Sequence, residues 1–189
     1  MKFLPTPLAG VILIEPDVFP DPRGYFLESY HRRKYAEAGI PEPFVQNNLS
    51  KSCKGTLRGL HAQLARPQGK LVHIVSGEIW DVAVDARPTS PTYKKWYGVP
   101  LSSEEPRLLY VPAGFVHGFC VLSDSAIVEY QCTDLYDPSS ELHLLWSDPD
   151  IGIEWPVNEP LLSAKDRAGM TLRQAEPLLK QYFTTAKSK

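Results

Sequence analysis

The sequence is poor in cysteine and has almost no net charge. Its three cysteines, Cys53, Cys120 and Cys132, form no CxxC pair and are odd in number, so we expect reduced thiols and a cytoplasmic protein. The formal net charge of −2 offers no basic surface of the kind that binds a phosphate backbone. We therefore expect no nucleic-acid partner.

Glycine-rich nucleotide motifs and membrane-length apolar runs are also missing. The sequence contains neither GxGxxG nor GxxxxGK[ST], which argues against a Rossmann or P-loop site. An apolar run at residues 11–14 follows Pro5 and Pro7 and ends at Glu15. This run is too short for a signal peptide or a membrane span, so no membrane association is expected.

Proline, in contrast, is abundant, with 18 residues in a chain of 189. This composition favours a turn-rich β protein over a helical bundle. Short apolar segments bounded by turn residues recur at a spacing of about ten residues, which is typical of all-β sandwiches and barrels. We predict strands at residues 11–19 (broken at Pro16), 25–30, 44–50, 56–63, 70–75, 78–86, 107–111, 117–122 and 126–133.

The same pattern indicates one domain over residues 1–189 with few helices. A short helix at residues 32–38 would end at Gly39. A second helix begins at Thr171, whose spacing to Gln174 resembles a capping box, and Pro177 weakens or kinks it. We expect the tail at residues 167–189 to be peripheral.

Two titratable side chains lie within otherwise apolar predicted strands. In the strand at residues 57–63, alternation places His61 on the face of Leu57, Gly59 and Gln63, opposite Arg58, Leu60 and Ala62. In the next strand, Lys70 shares a face with Val72 and Ile74. A buried ionisable group is costly unless it is paired or used. His61 and Lys70 are therefore candidate functional residues.

Two further segments permit more than one interpretation. The adjacent amides Gln46, Asn47 and Asn48 are equally consistent with turn formation and with binding of a polar ligand. The segment PAGFVHGF (residues 112–119) resembles the second cupin motif, whose histidine often binds a metal, although His117 in isolation is more typical of a hydrogen-bonded core histidine. A metal site needs several converging ligands, and here the segment that would match the first cupin motif offers only His61 and Gln63, with Lys70 nearby.

Motifs over residues 20–166 resemble, in order, those of the dTDP-4-dehydrorhamnose 3,5-epimerase family of metal-free cupins. They are DPRGYFLE, VQNNLS, LRGLHAQ, QGKLV, GEIWDVAVD, SPT, PAGFVHGF, EYQCT, YDPSSE, IEWP and LSAKD. The resemblance implies an all-β cupin-type double-stranded β-helix, or jelly roll, with a few short peripheral helices. It also implies an isomerase that uses neither a metal nor a redox cofactor.

The resemblance further implies roles for individual residues. His61 would be the base, Asp166 would orient its imidazole, Tyr130 would be the acid on the opposite face of the sugar, and Lys70 would stabilise an enolate oxygen. Eleven residues would bind the nucleotide sugar. Arg23 and Arg58 would contact the diphosphate, Tyr136 would stack on the base, and Phe26 would stack or pack in the core. The other seven are Glu28, Gln46, Asn47, Asn48, His117, Glu141 and Lys165.

A homodimer also follows from the resemblance: the amino-terminal strands at about residues 10–50 would contribute to it, and the strand that includes Arg23 and Glu28 would exchange into the partner's site. The family position after His61 is usually aromatic, whereas this chain has Ala62, which alternation directs away from the His61 face. Three alternatives stay open: an epimerase acting on one carbon or on another nucleotide sugar, a cupin that binds nucleotide sugars without turnover, and a metal-dependent cupin.

Overall fold

A computed structural model describes residues 1–185, so residues 186–189 of the predicted tail lie outside the described part. Within residues 1–185, strands predominate and helices are few, as predicted. The strands are β1 (Lys2–Pro5), β2 (Ile12–Glu15), β3 (Val18–Asp21), β4 (Gly24–Leu27), β5 (Gln46–Cys53), β6 (Leu57–Gln63), β7 (Lys70–Ser76), β8 (Glu78–Asp85), β9 (Trp96–Ser102), β10 (Leu108–Val111), β11 (Phe115–Val121), β12 (Ser125–Cys132) and β13 (Glu141–His143). The α-helices are α1 (Arg32–Glu37), α2 (Ala164–Arg167) and α3 (Leu172–Thr185).

Two antiparallel sheets make up the body of the protein. One has six strands in the order β1-β2-β10-β7-β12-β5, and the other has five in the order β13-β6-β11-β8-β9. From β5 to β8, and again from β10 to β13, successive strands alternate between the two sheets, as they do in a jelly roll. The predicted cupin-type fold is confirmed, with the two sheets left unjoined rather than closed into one barrel.

The space between the two sheets is filled by their inward-facing apolar side chains. On β8, Ile79 and Ala83 belong to this central core, whereas Val82 and Val84 face outward, as the alternation of side chains along a strand requires. Burial of each such side chain stabilises the fold by about 1.5–3 kcal/mol. The continuous central core therefore holds the strands that carry the candidate residues at a set separation.

The outer faces of both sheets are partly covered by helices. On the five-stranded sheet, Leu172, Ala175 and Leu179 of α3 are fully buried against outward-facing residues. On the six-stranded sheet, Tyr35 of α1 packs in the same way. The predicted tail therefore lies outside the sheets but contributes to a packed layer. None of the helices in residues 1–185 is long and apolar enough to cross a membrane.

Local signals determine where the helices begin and end. Gly39, with φ +91°, follows α1 as predicted. At α3 the backbone N–H of Thr171 donates to Gln174 Oε1 at 2.8 Å, and that of Gln174 donates to Thr171 Oγ1 at 3.3 Å. This reciprocal pair confirms the predicted capping box.

Strands β1, β9 and β13 are absent from the sequence-based prediction. β9 contains Gly98 and Pro100, which weaken a strand signal. It lies at an edge of the five-stranded sheet, where a proline is tolerated because one side of the strand forms no ladder hydrogen bonds. β13 is only three residues long, too short for a periodicity signal.

Candidate active site

A polar cleft opens between the two sheets. It comprises two adjoining cavities of about 280 and 230 Å³, both lined by His61, Lys70, Tyr130 and Glu141. His61 comes from β6 in one sheet, whereas Lys70 and Tyr130 come from β7 and β12 in the other. The cleft is therefore flanked by titratable groups from both sides.

His61 and Asp166 form the closest pair in the cleft. His61 Nε2 donates to Asp166 Oδ1 at 2.5 Å, across 105 residues of sequence. Asp166 lies on the short helix α2 and is almost fully buried. Ser163, the residue that caps α2, donates from Oγ to Asp166 Oδ2 at 2.7 Å. The carboxylate is thus held from both sides, and the other imidazole nitrogen is left to act on a ligand.

Burial and hydrogen bonding have opposite effects on the pKa values of His61 and Asp166. Burial lowers the pKa of His61, and the hydrogen bond to Asp166 only partly offsets that effect. Burial by itself would raise the pKa of Asp166, but hydrogen bonds from His61 and Ser163 outweigh it, so the pKa of this carboxyl is lowered. A neutral imidazole beside an ionised carboxylate is the form that suits a general base.

The six-stranded sheet contributes a cation and a phenol. Burial lowers the pKa of Lys70, and the acidic groups of Cys132, Asp81 and Glu141 only partly offset this. Burial also raises the pKa of Tyr130, which keeps its phenol protonated. A protonated phenol and the amino group of Lys70 therefore face the imidazole–carboxylate pair.

His117 lies deeper in the cleft and pairs with Asp81, a residue that the sequence-based prediction missed. His117 Nε2 is 2.9 Å from both carboxylate oxygens of Asp81, and both side chains are buried. β11 places His117 opposite His61 in register. The signal for Asp81 was available, because an acidic residue on the inward face of an alternating strand requires a partner.

The predicted position of Arg58 on the opposite face of β6 from His61 is wrong, because both residues line the same cavity. The β6–β11 pairing joins His61 to His117 and Arg58 to Phe119, so β6 has one extra residue between the two pairs. Such a bulge reverses the alternation of side chains. Arg58 thereby enters the cleft, where its Nε donates to Ser52 Oγ at 3.0 Å.

Other predicted binding residues surround the mouth of the cleft. Gln46, Asn48 and Tyr136 line it, and the Tyr136 backbone N–H donates to Gln46 Oε1 at 2.8 Å. Lys165 reaches the rim through a 3.0 Å ion pair with Glu141.

Asn47 faces away from the cleft, and Ala62 does so in part. Asn47 points to the other face of β5, where its Nδ2 donates to Glu129 Oε1 at 2.7 Å. Ala62 packs against the outward-facing core, as alternation predicts, and also contributes to the cleft lining.

Arg23, Phe26 and Glu28 are not brought to the cleft of their own chain. Arg23 and Phe26 belong to the β3–β4 hairpin, which hydrogen-bonds with no other strand of the described residues. Phe26 is 69% exposed, Arg23 pairs with neighbouring Asp21, and Glu28 pairs with Lys34 at 2.7 Å.

Comparison with known proteins agrees with the fold. The family model described as dTDP-4-dehydrorhamnose 3,5-epimerase matches residues 5–174. A dTDP-4-dehydrorhamnose 3,5-epimerase of Methanothermobacter thermautotrophicus is 50% identical over 92% of this chain and 95% of its own length. A dTDP-4-dehydrorhamnose 3-epimerase of Streptomyces niveus is 41% identical over 97% of this chain and 91% of its own.

A solved structure extends the likeness to three dimensions. The dTDP-6-deoxy-D-glucose-3,5-epimerase of Legionella pneumophila, in complex with dTDP-4-keto-L-rhamnose, superposes with a TM-score of 0.91 at 46% identity. The alignment covers 94% of this chain and 96% of that one. The chain therefore belongs to the dTDP-4-dehydrorhamnose 3,5-epimerase family.

Proposed function

We propose that this protein converts dTDP-4-dehydro-6-deoxy-D-glucose to dTDP-4-dehydro-L-rhamnose by inverting carbons 5 and 3. One observation carries the proposal: a base from one sheet and an acid from the other line the same cleft, with Lys70 beside the acid. Epimerisation next to a ketone needs a proton removed from one face and another returned to the opposite face. Groups from two facing sheets suit that requirement.

In the proposed reaction, His61 accepts the proton from the carbon next to the ketone, while Asp166 keeps its imidazole in the correct tautomer. The electron pair moves onto the ketone oxygen, and the Lys70 ammonium stabilises the resulting enolate. Tyr130 then donates its proton to the opposite face of the same carbon. His61 then releases its proton to solvent and Tyr130 takes one up, so that the same two steps can invert the second carbon.

The nucleotide would occupy the outer part of the cleft. Arg58 is suited to the diphosphate, because a guanidinium can donate to two phosphate oxygens at once. Tyr136 would stack on the base, with Gln46 and Asn48 beside it. Glu141, Lys165 and His117 would complete the set that contacts the substrate, and Asn47 would act from the neighbouring face of β5.

The proposed active unit is a homodimer in which the β3–β4 hairpin enters the partner's site. The exposed aromatic rings of Phe19 and Phe26, with centroids 6.4 Å apart, support this proposal. Exchange would bring Arg23 and Phe26 of one chain, with the adjoining Glu28, to the nucleotide bound by the other. The three free cysteines are consistent with a cytoplasmic location.

Proton NMR of dTDP-4-dehydro-6-deoxy-D-glucose incubated with the protein in deuterium oxide tests the proposal. We expect the proton signals at carbons 5 and 3 to disappear as the rhamnose-series configuration develops. Exchange at one carbon alone would identify a mono-epimerase, for which the 3-epimerase relative sets a precedent. Binding without exchange would indicate a different nucleotide sugar or a binding protein.

A further inference from the structure

His143 lies beside the His61–Asp166 pair and has no part in the reaction proposed above. It is on β13, where the register places it directly opposite His61. The two imidazole rings meet edge to face with centroids 4.7 Å apart. Both ring nitrogens of His143 are buried, and neither has the alignment of a hydrogen bond. Nε2 lies 2.9 Å from Glu141 Oε2, so Nδ1, on the side of Asp166, is the nitrogen that remains available to bind something else.

Three potential metal ligands converge at this point. One nitrogen or oxygen from each of His61, His143 and Asp166 lies within 4.8 Å of the other two, and residues 1–185 contain no second cluster of this kind. Two imidazole nitrogens and a carboxylate oxygen form a set that Zn²⁺ and related transition metals favour. The fourth position of a tetrahedral ion would face the open cleft.

The distances require only small adjustments. Ligand atoms of a tetrahedral zinc site lie about 3.3 Å apart, given bonds of about 2 Å. His143 Nδ1 lies 3.9 Å from Asp166 Oδ1, and His61 Nε2 lies 2.5 Å from the same oxygen. The first separation would shorten by about 0.6 Å and the second would lengthen by about 0.8 Å, changes that side-chain rotation can supply.

The surroundings also resemble those of a metal site. Glu141 Oε2 lies 2.9 Å from His143 Nε2, on the side of the ring away from Asp166. Ser163 holds the second oxygen of Asp166. A carboxylate behind a ligating imidazole, and a hydrogen bond to a ligating carboxylate, are the partners that orient metal ligands. The ammonium group of Lys70, in the same cleft, is the charge that opposes a cation.

We propose that His61, His143 and Asp166 bind a divalent transition-metal ion such as Zn²⁺, and that the bound ion inhibits epimerisation. The ion takes the place of the proton between His61 Nε2 and Asp166, and that proton is released to solvent. A dication on one nitrogen of His61 lowers the basicity of the other, so substrate is no longer deprotonated. The inhibition, though not the binding, rests on the proposed function.

Calorimetric titration of chelator-treated full-length protein with ZnCl₂ tests the binding. We expect one ion per chain, a dissociation constant at least about tenfold higher in His143→Gln, and no change in His73→Gln. His73 is a matched control because it also lies near a carboxylate, Glu129 at 3.4 Å, but belongs to no such cluster. Equal zinc affinity in wild type and His143→Gln would overturn the site.

Two further measurements test metal binding with a second variant and test inhibition separately from binding. Co²⁺ absorption spectra of the wild type should show bound-metal bands that Asp166→Asn weakens, and unchanged bands would count against the site. The rate of epimerisation should fall as Zn²⁺ is added and recover when a chelator is added. The Zn²⁺ concentration that halves the rate should be higher in His143→Gln than in the wild type. Activation by Zn²⁺, or saturation without inhibition, would refute the inhibitory role. Zinc binding at this cluster in a protein that epimerises nothing in zinc-free buffer would support the site and refute the proposed function.

Discussion

The phenol of Tyr130 and the imidazole of His61 are single groups on which the proposed chemistry depends. Replacement of Tyr130 by phenylalanine keeps the ring but removes the proton that the enolate carbon must receive. We expect kcat for Tyr130→Phe to fall by about 10²–10⁴-fold, with a similar loss in His61→Asn. Initial rates measured by coupled assay, together with dTDP affinity, would show whether chemistry or binding has changed.

Tyr93→Phe is the matched control for the loss of a phenol. The Tyr93 hydroxyl is buried without a hydrogen-bond partner and lies outside the cleft, so its removal should leave the rate within about twofold. A Tyr130→Phe enzyme that retained a rate comparable to this control would exclude Tyr130 as the acid.

The charge of Lys70 should set the alkaline limit of activity. Burial lowers its pKa, so it loses its proton as the pH rises at a lower value than an exposed lysine, whose pKa is about 10.4. Because the charged form stabilises the enolate, kcat/KM should fall as the pH rises, and this fall should begin at a lower pH than the pKa of an exposed lysine would predict. The raised pKa of Tyr130 places its own ionisation later.

The Lys70→Arg variant shows whether the alkaline limit of activity comes from Lys70 or from Tyr130. A guanidinium stays charged throughout this range, so the alkaline decline should move to higher pH even though the rate is reduced. An unchanged alkaline limb in pH–rate profiles of Lys70→Arg would contradict the role of Lys70.

The bulge in β6 depends on close contact between two backbone segments. A Cβ atom added at Gly59 would lie 2.5 Å from the Cα atom of Gly118 on β11. Gly59→Ala would force β6 and β11 apart and displace Arg58 and His61 together. We expect a loss of about 3 kcal/mol in unfolding free energy and a lower kcat, measured by urea denaturation and rate assays.

Gly152→Ala is the matched control for Gly59→Ala, because it tests the cost of a positive φ without crowding. Gly152 also has a positive φ, +66°, but an added Cβ would meet nothing closer than 4.0 Å. This variant should lose only the conformational term, about 1 kcal/mol, and keep its kcat. Equal effects in both variants would show that crowding between β6 and β11 is unimportant.

The elements differ in how much of them the sequence predicts. Apolar alternation correctly predicts the face that Lys70 shares with Val72 and Ile74 on β7, and capping residues correctly predict where α1 ends and α3 begins, because those signals are local. The bulge of β6 depends on the register with β11, which no single strand encodes. The contact of Asp166 with His61 is likewise invisible to periodicity, and only the family resemblance indicates it.

At the scale of the whole molecule, the β3–β4 hairpin should serve a second copy of the chain. Individually, His61→Ala and Arg23→Ala should both have low activity. In a mixed dimer, the site that retains His61 would receive a native Arg23 from its partner. Random mixing should therefore restore about a quarter of the wild-type activity, measured after the two variants are unfolded and refolded together.

The outcome of mixing separates exchange from self-contained sites. If Arg23 acted within its own chain, every site in the mixture would carry one defect, and activity would equal the mean of the separate variants. Light scattering on Phe19→Ser/Phe26→Ser provides a second check, because loss of these exposed rings should shift the protein towards monomer.

The separation of His61 and Asp166 along the chain also has a consequence for biosynthesis. The strands that line the cleft, β5, β6, β7, β11, β12 and β13, are all translated before the short helix that carries Asp166. A nascent chain can therefore assemble both sheets around a histidine that is not yet held in position. The base becomes oriented only when α2 docks, so catalytic competence is acquired after the two sheets have formed rather than with them.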